Sequence, residues 1–212
     1  MDPARGGSFV PPYDAILFDF DGVLADSEPI HFACWMETLA DLDIDTDWER
    51  FSRECVGLSE RDTCRYFLSR ARKPTTFEEI ISRYPLKQAR VRRRMHASPP
   101  VARETVDLLQ SLDGHKLAVV SSSGHAEIDP VLQATGLWPL LSAVICGEDV
   151  THHKPHPEPY QKAAALLAAA RPLVVEDSEV GVQSGCAAGF DVLRVTSALA
   201  MPAELRKKLQ IP

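Results

Sequence analysis

Tyr13-Asp14-Ala15-Ile16-Leu17-Phe18-Asp19-Phe20-Asp21-Gly22 is an apolar run that ends on acidic residues and a glycine. Its richness in Ile, Leu and Phe predicts a buried parallel strand. Comparable short runs recur at Lys116 to Val120, Ala143 to Cys146, Leu173 to Val175 and Val192 to Val195. Helical patterns separate them. Arg103 to Leu112 is amphipathic, Pro157 to Ala170 is alanine-rich, and Ser178 to Ala188 is closed by Gly189. Asp129-Pro130 reads as an N-cap and first helical residue, with Gly136 closing that helix. Strands alternating with helices predict an α/β fold, a Rossmann-like parallel sheet core covered on both faces. No further element is read after Val195.

The stretch from Glu28 to His96 has no strand pattern. His31 to Leu42, Ser59 to Ala71 and Leu86 to His96 read as helices, with Ser59 an N-cap and Asp62 in the first turn. The expected organisation is therefore a core of residues 13–27 and 97–212 with an inserted all-helical cap domain over residues 28–96. Ser98-Pro99-Pro100 forms a stiff return point. Met1 to Pro12 reads as a loose, disordered tail, neither signal peptide nor membrane anchor.

The chain has 212 residues, 45% of them hydrophobic and 25% charged, as an ordinary globular protein does. A net charge of -7 argues against a nucleic-acid or anionic-membrane partner. No apolar run approaches the roughly 20 residues that span a bilayer. The five cysteines, Cys34, Cys55, Cys64, Cys146 and Cys186, are odd in number and have no C-x-x-C spacing, which points to a reducing, cytoplasmic setting. A monomer or weak dimer is expected.

Ligands in open α/β sheets bind beyond the carboxyl ends of the strands. The first predicted strand ends at Asp19 and Asp21, the second at Ser121-Ser122-Ser123, the fourth at Glu176-Asp177, and Lys154 follows the third. Clustered carboxylates repel one another and their pKa values rise. A hard dication, Mg²⁺, relieves that repulsion through oxygen ligands. With Lys154 it would also let a carboxylate approach a phosphate monoester. Asp19 could then form an aspartyl-phosphate. Asp21 could protonate the leaving oxygen and then take a proton from the hydrolytic water.

Asp19-Phe20-Asp21-Gly22-Val23-Leu24-Ala25-Asp26-Ser27 resembles the first motif of the haloacid dehalogenase-like superfamily. Ser121, then Lys154-Pro155 with Pro157 and Tyr160, then Glu176-Asp177-Ser178 with Gly181 and Gly185, resemble its other three motifs in order. The resemblance is closest to the helical-cap branch, which holds sugar phosphatases, phosphoglycolate phosphatases and β-phosphoglucomutases. It implies Asp19 as nucleophile and Asp21 as acid/base. It places Mg²⁺ on the Asp19 carboxylate, the Asp21 carbonyl and the Asp177 carboxylate. Glu176 is grouped with these ligands, with orientation of a ligand as its other reading. Ser121 and Lys154 would hold the phosphoryl group. Ser121 is favoured over Ser122 and Ser123 because it follows the strand directly, and Ser122 joins it on the substrate side. His31 and Arg61 are the cap's candidate substrate contacts. Arg61 stands one residue from the arginine that β-phosphoglucomutases carry.

The function expected is Mg²⁺-dependent phosphate release from a small phosphorylated metabolite, of the sugar phosphate or phosphoglycolate class. A β-phosphoglucomutase-like phosphomutase is the alternative, and a non-catalytic binding protein on the same fold is a third.

Overall fold

The computed structural model describes residues 12–211. Most of the expected tail lies outside the described residues.

Strand β1 (Ala15–Phe18) pairs in parallel with β2 (Lys116–Val120) on one side and β4 (Pro172–Glu176) on the other. β3 (Ala143–Ile145) extends the sheet beyond β2, and β5 (Asp191–Arg194) extends it beyond β4. The resulting order is β3-β2-β1-β4-β5. Successive strand residues face opposite sides, so each apolar run feeds two cores. Ile16, Phe18, Val119 and Val175 enter one core, and Leu17, Ala118, Val120 and Val174 enter the other. This two-sided burial is why the strands read as continuous apolar runs rather than alternating ones.

The core helices are α6 (Arg103–Ser111), α7 (His125–Ala134), α8 (Glu158–Leu167), α9 (Glu179–Ala187) and α10 (Met201–Leu209). α10 is an addition to the sequence reading. Its Met201, Leu205 and Leu209 recur every four residues and are all buried. A second correction concerns Asp129-Pro130. Pro130 lies inside α7, which starts five residues earlier. The start is fixed from a distance, because the His125 backbone N–H donates to the Glu148 carboxylate at 2.9 Å. An anion at a helix N-terminus satisfies an otherwise orphaned donor, and local sequence carries no trace of it.

Between β1 and α6 run α1 (Glu28–Thr38), α2 (Trp48–Glu54), α3 (Glu60–Arg70), α4 (Phe77–Ser82) and α5 (Tyr84–Ala97). They enclose a core of their own around Trp35, Leu39, Phe51, Phe67 and Ile80. Ser59 caps α3 as expected, accepting from the Asp62 backbone N–H at 3.2 Å. The short helices α2 and α4 were not read from the sequence. Each spans too few residues for periodicity to register, although Asp47 and Thr76 cap them. The chain leaves and re-enters the core side by side, since Asp26 N–H donates to the Pro100 carbonyl at 2.8 Å.

Candidate active site

Asp19 is the first residue past β1, and its N–H still donates to Val175 at 3.0 Å, so the sheet ladder fixes its backbone. The chain then turns at Gly22, whose φ is +75. A Cβ there would lie 2.1 Å from Asp177 Oδ2. Only glycine supplies both the left-handed backbone and the clearance, so Gly22 is what lets Asp177 approach the Asp19 turn.

Lys154 reaches the same point from the loop after β3. Its ammonium donates to Asp19 Oδ1 at 2.7 Å, Glu176 Oε1 at 2.6 Å and the Val120 carbonyl at 2.9 Å. These acceptors use all three of its protons. Burial works against the charge, but Asp19 and Glu176 outweigh it and hold the Lys154 pKa above its ordinary value. Asp19 is 8% exposed. Burial pushes its carboxyl well up, Lys154 pulls it down, and Glu176, Asp177 and Asp21 push it up again. Burial, then Glu176, raises Asp177 to about 6.

Glu176 lies beneath the cleft, behind Lys154. Its Oε1 accepts from Lys154 and from the Tyr160 hydroxyl at 2.7 Å. Its Oε2 accepts from the N–H groups of Asp177 and Ser178 and from the Ser178 hydroxyl. The carboxylate lies so close to α9 that a Cβ on Gly181 would meet it at 1.8 Å. With both oxygens engaged and no surface on the cleft, Glu176 holds Lys154, in keeping with the orienting one of its two readings, while its carboxylate still lies beside those of Asp19 and Asp177.

Asp21 is fixed from two sides. Ser27 donates to its Oδ1 at 2.5 Å and Ser123 to its Oδ2 at 3.0 Å. Ser121 is buried and accepts from the Ser123 N–H at 3.0 Å. The cleft above these groups has a volume of about 200 Å³, and Asp19, Asp21, Ser121, Ser122, Lys154 and Asp177 all line it. Six of the expected residues thus converge.

His31 comes to the edge of this group, with Nε2 3.9 Å from Asp21 Oδ1. Its Nδ1 lies 2.6 Å from the Lys87 ammonium. Burial, then Lys87, lowers the His31 pKa to about 4. Arg61 does not reach the cleft. Its guanidinium lies 4.9 Å over the Phe77 ring on the flank of the insertion. Its neighbour Glu60 faces the cavity instead.

Sequence reasoning missed Glu28, Glu60, Lys87 and Glu127. Glu28 lines the cleft, and burial with the nearby Asp21 raises its carboxyl to about 7. Lys87 stands on the arginine-rich α5, yet it is 3% exposed. Glu127 became visible only once α7 was found to begin at His125, which puts it in the first turn.

The donor set fits a hard dication. Asp19 and Asp177 offer carboxylate oxygens that, with Glu176, lie within 4.8 Å of one another. Burial first, and then the neighbouring carboxylates, raise the pKa values of Asp19 and Asp177, and a bound cation would favour their charged forms.

This sheet, with carboxylates after β1 and β4 and a lysine after β3, defines a class. The model of the family described as haloacid dehalogenase-like hydrolase matches residues 16–195, and the chain belongs to that family. The fructose-1-phosphate phosphatase YqaB of Escherichia coli is 26% identical over 198 residues, covering 86% of this chain and 96% of its own. A plasmid-borne phosphoglycolate phosphatase of Cupriavidus necator is 28% identical, covering 90% of this chain and 84% of its own. Among solved structures, CbbY from Rhodobacter sphaeroides in complex with phosphate superposes with a TM-score of 0.64 at 25% identity, over 86% of this chain and 87% of that one. Among the described residues, no helix is long and apolar enough to cross a membrane.

Proposed function

We propose that this chain is a Mg²⁺-dependent phosphatase acting on a small phosphorylated metabolite in a reducing, cytoplasmic setting. The observation that carries the reading is the buried Lys154 ammonium held between Asp19 and Glu176 at the floor of the cleft. A lysine fixed there by three acceptors presents positive charge where an anionic group would meet Asp19.

In this reading Asp19 and Asp177, with the Asp21 main-chain carbonyl, would hold the dication. When bound, it neutralises the phosphoryl oxygens so that an anionic carboxylate can approach. Ser121, Ser122 and Lys154 orient the phosphoryl group. A carboxylate oxygen of Asp19 bonds to phosphorus as the bond to the leaving oxygen breaks, and Asp21 gives that oxygen its proton. A water then attacks phosphorus, Asp21 takes the water's proton, and phosphate leaves with the Asp19 carboxylate restored. Ser27 and Ser123 hold Asp21 in one rotamer for both transfers. The relatives named as phosphatases support hydrolysis. Arg61, the residue that would have favoured a phosphomutase, is turned onto Phe77.

The test is phosphate release from a panel of phosphate monoesters with Mg²⁺, with chelator, and with Asp19→Asn. Release should require the dication and fall at least about 10³-fold in the variant. Undiminished release by Asp19→Asn refutes the mechanism.

A further inference from the structure

The leaving group of any substrate bound in the cleft must occupy the space between core and insertion. A second cavity of about 140 Å³ lies there, and Glu28, Gly57 and Leu58 line both spaces. The ester oxygen would leave the Lys154 end and the rest of the molecule would extend into this cavity.

Its lining has a definite chemistry. Trp35, Phe51 and Tyr84 provide aromatic surface. Glu28, Glu60 and Gln88 provide acceptor oxygens. Lys87 is its single ammonium, with no guanidinium beside it, and it is already within 2.6 Å of His31 Nδ1 and 3.2 Å of Gln88 Oε1. Two carboxylates therefore share the cavity with one engaged cation. Hydroxyl groups donate well to such acceptors, and aromatic faces cover the C–H surface of a carbon chain. A second phosphate or a carboxylate on the substrate would instead lose its water and meet the Glu60 carboxylate, while the one ammonium in the lining is already engaged.

We infer that the substrate is a polyhydroxylated phosphate monoester with no second anionic group, and that Glu60 is the specificity-determining residue that excludes ligands carrying one. This rests on the phosphatase reading above and narrows its substrate class. Glu60 is suited to the role by position. It opens α3 and stands at the exposed mouth of the cavity, where its carboxylate is hydrogen-bonded to Tyr84 and meets an incoming ligand.

The experiment compares matched pairs that differ by one anionic group, using the full chain with Mg²⁺. Sorbitol 6-phosphate is set against 6-phosphogluconate, and glucose 6-phosphate against glucose 1,6-bisphosphate, with p-nitrophenyl phosphate as a leaving group that makes no polyol contacts. In each pair the member whose phosphate is its one anionic group should have a kcat/KM higher by about tenfold or more, a modest electrostatic discrimination. Glu60→Arg should shift each ratio toward the charged member by about tenfold, and Glu60→Gln by about threefold. Equal or faster turnover of the charged members, or ratios unmoved by both substitutions, overturns the inference while leaving the phosphatase reading intact. Absence of phosphate release from every compound, p-nitrophenyl phosphate included, defeats the phosphatase reading itself.

Discussion

The rim of the sheet and the seam beneath the insertion both bury charge, and they treat it in opposite ways. At the rim, Lys154 has two carboxylates and a carbonyl, Glu176 has five donors, and Asp21 has two serines. Across the seam, where α5 packs on α7, partners are few. Lys87 has no carboxylate within ion-pair distance among the described residues, and His31 Nε2 and Glu127 Oε1 are buried without any hydrogen-bond partner. A fully partnered cluster fixes geometry, whereas an under-partnered one stores polar groups that a ligand can satisfy. The difference teaches that the core is built to position chemistry and the seam is left open to its occupant.

The sharpest way to break this contrast is to neutralise each lysine. Lys154→Met should leave Asp19 and Glu176 buried beside each other without a cation. We expect a stability loss of about 3–5 kcal/mol by thermal or denaturant unfolding, and phosphate release down about 10³-fold. Unchanged stability would mean the rim is not the interlocked cluster described here.

Gly22→Ala probes how tightly the rim is packed. A methyl group at a φ of +75, placed 2.1 Å from Asp177 Oδ2, forces that carboxylate aside. The expected cost is about 1–2 kcal/mol for the backbone strain. Phosphate release should fall about 10²-fold through misplacement, with a raised Mg²⁺ requirement read from activity against Mg²⁺ concentration. A normal Mg²⁺ dependence would count against Asp177 as a ligand.

Glu127 tests the seam by pH. Burial, then Asp21, raises its carboxyl from 4.5 to about 7. Folding therefore favours the protonated form. That contribution is complete below 4.5 and is lost as pH rises through about 7. Glu127→Gln, which mimics the protonated side chain, should be more stable than the natural chain at pH 8, by roughly 1–3 kcal/mol. At pH 4 the two should be nearly equal. Parallel unfolding curves at the two pH values would show that Glu127 does not titrate in this way.

The smallest effect on stability is expected for Lys87→Met. Removing an ammonium that lacks an ionic partner should leave stability within about 1 kcal/mol of the natural chain, or raise it, because the desolvation penalty goes with the charge. A loss as large as that of Lys154→Met would erase the distinction between the two regions.

The legibility of the molecule follows the same division. All five strands of the sheet were visible in the sequence, because each is a short apolar run, and four of them have reactive residues at or beyond the carboxyl end. Asp19, Asp21, Ser121, Ser122, Lys154 and Asp177 were visible with them, since the carboxyl ends of parallel strands share one edge. The starts of α7 and α10, the short α2 and α4, and the true cavity-facing residue of α3 were not. Glu148 fixes α7 from outside its own segment, and choosing Glu60 over Arg61 requires the rotation of a helix about its axis.

By itself the sequence determined a parallel sheet with acids, serines and a lysine at one rim. Strand periodicity and the family motifs are local patterns, readable without contacts. Only the tertiary structure decided which charges were satisfied. Pairs such as His31 with Lys87, 56 residues apart, meet through packing that no local pattern encodes. Burial and partnership are properties of the assembled chain, and they give Lys87 and Lys154 opposite surroundings.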